Sequence, residues 1–548
     1  MPTLHWIGKD KVINHHREVP YKVLQHQYGF TAGEGEDERP TGSGNMVIHG
    51  DNLEALKSLL PQYEGKVKCI YIDPPYNTGE EKWRYNDNVN DPRLLRWLED
   101  AVGKEGEDLS RHDKWLCMMY PRLVLLHKLL SPDGAIFVSI DDNELGNLQL
   151  ILNEIFGTAN HIANFIWEKR TNRENRKEVS YRHDYVVAYR KDSIAVGSKM
   201  KLLQMSADAL ARYKNPDLDP RGPWKSDPAT AQAGHATASQ FYVLEAPNGK
   251  RNELPSGGCW VYTEHVMNSE IADGKIWFGV DGNGVPRIKT YLHAKERGLV
   301  PETLWFASEV STNEGAKNEL KEIFDGKAVF ETPKPFELVQ RVLEIASGKD
   351  SIVLDSFAGS GTTAHAVLNL NKQDGGDRKF ILVEMMDYTD SITAERVKRV
   401  MNGYGEGRKS IEGTGGAFDY YTLGEPLFNE NQDLNEAVGT ERIREYIWYT
   451  ETRSPLFHST NDQPPQTKDQ RPATKDNSPY LLGTHEGMAL YFVYEPDRLT
   501  TLDHDLLATL PVKGTPTIIY ADNCLLPKKF MEQHGIIFKK IPRDISRF

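Results

Sequence analysis

Two short stretches of this sequence carry residue types that could do chemistry together. The first, Asp73-Pro74-Pro75-Tyr76, ends the continuous apolar run 67–72. An exocyclic amine on a nucleobase is a poor nucleophile because its lone pair is delocalised into the ring. A carboxylate at Asp73 and the carbonyl of Pro74 can accept the two amine hydrogens, which draws the nitrogen toward tetrahedral geometry and localises that pair. Pro74 and Pro75 fix φ near about −65°, so the carbonyl is held in place, and Tyr76 offers a flat face to a base taken out of its stack. The simpler reading of the same tetrapeptide is a proline turn that stops a strand.

The second stretch, D-S-F-A-G-S-G-T-T-A at 355–364, lies between an apolar run and a helical pattern. Gly359 and Gly361 let the backbone turn tightly and approach a ligand. Glu384 ends the next apolar run, 23 residues after Gly361, where a carboxylate can accept both hydroxyls of a ribose. Together they indicate an adenosine-bearing cofactor at the carboxyl edge of a parallel sheet. Ala364 stands where a dinucleotide fingerprint has its third glycine and is tolerated there, so nicotinamide or flavin stays open. A nucleoside triphosphate is disfavoured: G-Y-G-E-G-R-K-S at 403–410 has Arg408 in place of the last glycine and no apolar strand before it.

The elements that must hold these residues read as an α/β chain. An apolar strand near 45–49 leads into leucines 53, 56, 59 and 60 at helical spacing, then the strand 67–72, a helical stripe over 115–130 and a third strand after S-P-D-G. Strands without strict alternation suit a parallel sheet covered on both faces. The texture returns at 332, with a helix over 336–346, a strand at 351–355, a helix over 362–370 and a strand at 380–384. One sheet is thus built from two separated pieces of chain.

The organisation expected is a flexible N-terminal segment (1–44), a first half of the sheet domain (45–199), an irregular aromatic insertion (200–325), a second half (326–417) and a C-terminal region (418–548). The polar, proline-bearing 459–479 reads as a linker within the last, ahead of a small α/β unit. Trp224, Trp260, Trp277 and Trp305 of the insertion read either as recognition residues or as core anchors.

At 548 residues with 39% hydrophobic and 26% charged residues, the chain has room for about three or four folding units. No apolar run reaches the ~20 residues needed to span a bilayer, and nothing at the N-terminus resembles an export signal, so a cytoplasmic protein is expected. The four cysteines lie too far apart in sequence for a zinc clip or redox dithiol. A net charge of −13 argues against a uniformly basic nucleic-acid coat and allows a basic groove. Over 168–191, eight Lys/Arg face four Asp/Glu, a local charge of +4. Lys169, Arg170, Arg173, Arg176, Lys177 and Arg182 make that stretch a candidate phosphate-contacting stripe; a solvated face without a partner is the alternative.

D-P-P-Y-N-T-G at 73–79 and D-S-F-A-G-S-G-T-T at 355–363 resemble the catalytic and cofactor motifs of amino-group DNA methyltransferases. Their order, catalytic motif first, is similar to the circularly permuted beta class, and N-M-V-I-H-G-D-N-L-E-A-L-K-S-L at 45–59 is most similar to modification subunits of type III restriction-modification systems. The resemblance implies a doubly wound Rossmann-like sheet with an inserted target-recognition domain, and S-adenosylmethionine as cofactor. It assigns Asp73, Pro74, Pro75 and Tyr76 to the target base, and Asp355, Phe357, Ala358, Gly359, Gly361 and Thr362 to the cofactor turn. Glu384 goes to the ribose, Asp51 to the adenine, and Lys334 of T-P-K-P-F to the cofactor carboxylate.

Further implied are direct methyl transfer to adenine N6 in duplex DNA by base flipping, no metal, a second copy of the chain and a separate restriction subunit as partners. His183 and Tyr185 fall where the family packs residues near the flipped base. N4-cytosine, RNA, and a recognition or assembly subunit with a dormant site remain as alternatives.

Overall fold

The computed structural model describes residues 4–78, 107–174, 178–205, 207–293, 298–405, 407, 410–454, 456, 478–496, 498–511 and 516–546. The chain divides into two compact units, one of residues 1–199 with 302–548 and one of residues 200–301.

The main sheet of the larger unit has eleven strands. In chain order its strands are β1 (Lys22–Thr31), β2 (Gly35–Asp37), β3 (Met46–His49), β4 (Val67–Ile72), β5 (Leu130–Ile140), β6 (His161–Glu168), β7 (His183–Arg190), β8 (Leu304–Trp305), β9 (Ile352–Asp355), β10 (Lys379–Glu384) and β11 (Ala417–Pro426). The spatial order is β8-β6-β7-β5-β4-β9-β10-β3-β11-β1-β2. The central run from β5 to β11 is parallel throughout, and antiparallel pairs flank it. β4 and β9 lie side by side, Val353 opposite Cys69 and Leu354 opposite Ile70, partners 284 residues apart in sequence. The two halves of the sequence pattern therefore share one carboxyl edge.

Helices cover the sheet because its central strands are apolar on both faces: α1 (Asn52–Tyr63), α2 (Glu107–Leu129), α3 (Leu145–Phe156), α4 (Asn313–Ile323), α5 (Phe336–Ala346), α6 (Thr362–Asp374) and α7 (Glu395–Asn402). Ile48, Ile70, Ile72, Val138, Leu354, Ile381 and Val383 are buried in one core with Leu56, Leu123 and Leu126. Full burial of each such side chain stabilises the fold by about 1.5–3 kcal/mol before the entropy of ordering is set against it.

Two parts differ from the sequence expectation. Residues 22–31, read as part of a flexible N-terminal segment, form β1, which pairs antiparallel with β11. K-V-L-Q-H-Q-Y-G-F has too little apolar surface to order alone. It becomes a strand because β11, almost 400 residues later, supplies its hydrogen-bond partner. β11 itself, assigned by sequence mostly to the C-terminal region, completes the main sheet beside β3.

After it come α8 (Thr440–Thr452) and a four-stranded sheet of β12 (Leu481–His485), β13 (Met488–Phe492), β14 (Thr517–Ala521) and β15 (Ile536–Lys540). Tyr446, Leu490, Phe492, Ile518 and Tyr520 join the main core. Of the sequence-read linker 459–479, all but the last two residues lie outside the described residues.

The 200–301 unit holds a three-stranded antiparallel sheet (Ile276–Trp277, Arg287–Tyr291, Trp224–Pro228) and short two-stranded pairs. Trp224 and Trp260 are buried in it, and Trp305 is buried in the larger unit. Among the described residues no helix is long and apolar enough to cross a membrane.

Candidate functional site

A parallel sheet leaves its binding crevice at the carboxyl ends of its strands. Here a cavity of about 1110 Å³ opens at the ends of β4 and β9. Its lining includes Asp73, Pro74, Pro75 and Tyr76 from one piece of chain, and Asp355, Phe357, Ala358, Gly359 and Thr362 from the other.

The tetrapeptide is braced from both sides. Trp115 donates its indole N–H to the Pro75 carbonyl (2.7 Å). Asn77 adopts φ 55° and donates through Nδ2 to Glu144, a carboxylate with no exposed surface. His112 (2.6 Å) and Asn147 (2.8 Å) also engage Glu144. Between these anchors, Asp73 Oδ1 and the Tyr76 hydroxyl are buried and neither reaches a partner at full hydrogen-bond geometry among the described residues, though the hydroxyl feels the Asp73 carboxylate beside it. Burial, then the neighbouring Asp73, pushes the Tyr76 hydroxyl far above its ordinary range, so it stays protonated. A buried acceptor and a buried donor left open on one cavity wall are what a polar ligand would satisfy.

The glycine turn is equally fixed. Asp355 accepts from the Phe357 backbone N–H (3.0 Å) and the Thr363 hydroxyl (2.5 Å), while burial pushes its carboxyl up to about 7. Gly361, at φ 82°, caps α6, and a Cβ there would stand 2.9 Å from the Thr393 carbonyl oxygen, so only glycine fits. At Gly359 a Cβ would point at the Phe330 ring, 3.4 Å away, and narrow the cavity that both residues line. The arrangement suits a flat ligand laid along a backbone turn.

The other residues assigned from sequence take the following places. Glu384 and Asp51 are not on the cavity wall. Glu384 accepts from the N–H groups of Gly359 (2.8 Å), Met385 (3.0 Å) and Met386 (3.1 Å), and the Tyr388 hydroxyl beside it adds to their pull. With about four acceptor sites per carboxylate, ribose hydroxyls reach it only by displacing one of these donors. Tyr388, which does line the cavity, is the one on a side chain. Burial pushes Glu384 up to about 7 against the pull of those donors. Asp51 caps α1 through the N–H groups of Leu53 and Glu54.

Lys334, expected at a cofactor carboxylate, lines the cavity and holds Asp73 Oδ2 at 2.6 Å. Lys169, expected on phosphates, lines the cavity and holds Asp184 at 2.6 Å. Arg170 and Arg182 pair with Glu174 and Glu168, Arg173 is exposed, and Arg176 and Lys177 lie outside the described residues. His183 and Tyr185 share a hydrogen bond (3.0 Å), and the Tyr185 hydroxyl donates to Asp142 (3.0 Å).

Asp184, Trp115 and Glu144 went unread in the sequence. Asp184 is buried, and burial pushes its carboxyl up to about 6 although Lys169 opposes the shift. Its signal is an acid in the inward phase of H-D-Y-V-V-A-Y, where Val186 and Ala188 are also buried. Glu144 follows β5 at the same sheet edge, in the acidic run D-D-N-E. Trp115 carries no such signal, because its partner is a backbone carbonyl 40 residues away.

The profile of an N6/N4-type DNA methylase family matches residues 67–395, more than half of the chain. The chain belongs to this DNA methylase family. The match runs from the first residue of β4 to the first of α7, and so takes in both walls of the cavity. Among curated relatives, the Mod subunit of the StyLTI type III restriction-modification enzyme of Salmonella typhimurium is 36% identical over 65% of this chain and 57% of its own length. The EcoP15I Mod subunit of Escherichia coli is 30% identical over 73% of this chain and 66% of its own.

The type II methyltransferase M.KpnI of Klebsiella pneumoniae is 31% identical over 66% of this methylase-family chain and 85% of its own length. The chain thus spans between about half and two thirds of the type III relatives. Among solved structures, the PvuII DNA methyltransferase (cytosine-N4-specific) aligns with 64% of this chain and 86% of its own at 15% identity, TM-score 0.34.

Proposed function

We propose that this chain methylates the N6 amine of adenine in duplex DNA, with S-adenosylmethionine as donor, as the modification subunit of a type III-like restriction-modification system. The reading rests on one observation above all: the Asp73–Tyr76 wall, with its open acceptor and open hydroxyl, faces the glycine turn across a single cavity. Family membership and relatives named as type III Mod subunits support the same reading.

Bound on the turn formed by Asp355, Phe357, Ala358, Gly359, Gly361 and Thr362, the cofactor supplies an activated methyl group. Asp73 Oδ1 and the Pro74 carbonyl accept the two hydrogens of the target amine, which concentrates its lone pair for attack. When the nitrogen gains its methyl group it must shed one proton, and Asp73 Oδ1 is the acceptor placed to hold it. The Tyr76 ring supports the extruded base. Positioning and local electrostatics carry the acceleration. Target recognition, expected of the insertion 200–325, is assigned to the part of it that forms the separate unit 200–301, with duplex DNA, a second copy of the chain and a restriction subunit as partners.

The test is methyl incorporation into duplex DNA from labelled S-adenosylmethionine, with the product nucleoside separated by chromatography. N6-methyladenine is expected, and Asp73→Ala should lower the rate by at least about 1000-fold while cofactor binding persists. A labelled cytosine would replace the base assignment, and normal turnover by Asp73→Ala would remove the catalytic one.

A further inference from the structure

The T-P-K-P-F segment delivers one lysine to the wall opposite its origin. Pro335 restricts Lys334 to extended backbone and Pro333 fixes the turn before it, so the lysine is presented with little conformational freedom left to lose. Its backbone carbonyl accepts from the Thr362 hydroxyl (3.2 Å), and Thr362 is itself held by the fully buried Arg396 (2.8 Å). The lysine stem is thus fastened to the first turn of α6, beside the glycine turn.

From that base the side chain, 11% exposed, reaches Asp73 Oδ2 at 2.6 Å, and its ammonium stands 4.8 Å from the centre of the Tyr76 ring. The other oxygen, Oδ1, is buried and meets no hydrogen-bond partner among the described residues. Among the described residues, one carboxylate oxygen is therefore occupied by a preorganised cation and the other is open to the donor of a ligand in the cavity.

We propose that Lys334 is a positioning residue for Asp73: by holding Oδ2 it turns Oδ1 toward the incoming amine, and its charge helps keep Tyr76 in place beneath the base. This inference rests on the methyltransferase reading and goes beyond it, because it gives Lys334 to the reacting side of the cavity. Without Lys334 the carboxylate can rotate about its Cβ–Cγ bond and offer either oxygen. Loss of orientation at a reacting group costs rate, whereas loss of a cofactor contact costs affinity.

The experiment compares the full-length chain with Lys334→Met and Lys334→Arg. It measures the single-turnover methyl-transfer rate at saturating cofactor and DNA, and cofactor affinity by calorimetry. Lys334→Met should lose about 100-fold in rate while its cofactor Kd changes by less than about threefold, and Lys334→Arg should recover part of the rate. If Lys334→Met melts early, Lys334→Gln, which keeps a donor without the charge, reads the same split.

A Kd weakened about tenfold or more, with the saturated rate unchanged, would give Lys334 to the cofactor and overturn the proposal. So would an unaltered rate and affinity, or a lost rate that arginine does not restore. A wild-type chain that transfers no methyl group would instead remove the underlying functional reading, and this inference with it.

Discussion

The cavity of the larger unit and the charged centre of the 200–301 unit both set aspartates against lysines, yet they treat them in opposite ways. In the 200–301 unit Asp219 accepts from Arg221 (2.8 and 2.9 Å), from Lys289 (2.9 Å) and from Tyr291 (2.7 Å). Lys289 lies over the rings of Trp224 and Trp277 and also pairs with Asp217. Arg221 first, with those other donors, holds the Asp219 carboxyl far below the ordinary carboxylate range.

In the cavity, Asp73 has a partner on one oxygen only among the described residues, and Asp184 is pushed up to about 6 by burial despite Lys169. A carboxylate saturated by its own chain is structural. One left under-satisfied on a cavity wall is prepared for a ligand.

That contrast can be broken most directly at Asp219. Asp219→Ala leaves the buried Lys289 on Asp217 alone and takes the acceptor from Arg221 and Tyr291, and should destabilise the 200–301 unit by about 1–3 kcal/mol, read by chemical denaturation. Cofactor affinity, which belongs to the larger unit, should hold. A variant as stable as the parent would show that saturation does not mark the structural pair.

Glu384 sharpens the cavity side. It is pushed up to about 7 from an ordinary value of 4.5. A raised acid contributes stability that is fully present below about 4.5 and lost as pH rises through about 7. Ligand hydroxyls require the ionised form, so the sign for binding is reversed. Cofactor affinity should weaken by about fivefold on going from pH 7 to pH 6 and change little above pH 8. Calorimetric titrations across that range check this, and Glu384→Gln should flatten the curve; an unchanged Kd in the wild type would count against any ligand contact at Glu384.

The smallest effect is expected at the basic stretch. Arg170 and Arg182 already have protein partners, whereas Arg173 is exposed. Arg173→Ala should lower the slope of log affinity for DNA against log salt by about one and leave sequence preference alone. An unchanged slope would class this stretch with the self-satisfied pairs.

Much of the site was legible in the sequence. Asp73-Pro74-Pro75-Tyr76 and the turn from Asp355 to Thr362 were readable because each sits at a strand end marked by prolines or glycines, and strand ends of a parallel sheet share an edge. Less legible were interactions whose partner is distant or is a backbone group. Lys334 was read toward the cofactor, although its ammonium stands on Asp73, 261 residues away in sequence. Lys169 looked like one more cation in a basic run, and only the inward phase of β7 brings Asp184 to it. β1 lacked a visible reason to order until β11 was beside it.

The sequence by itself determined the alternation of strand and helix, the two motifs and the order in which they occur, because these depend on local periodicity and on residues that fix φ or permit it to be positive. Only the tertiary structure decided which oxygen of Asp73 is occupied, that Glu384 spends its acceptors on its own backbone, and that Glu144 and Trp115 brace the tetrapeptide. Those outcomes depend on distances between groups far apart in the chain, set by how β4 and β9 pack side by side, and no local pattern encodes them.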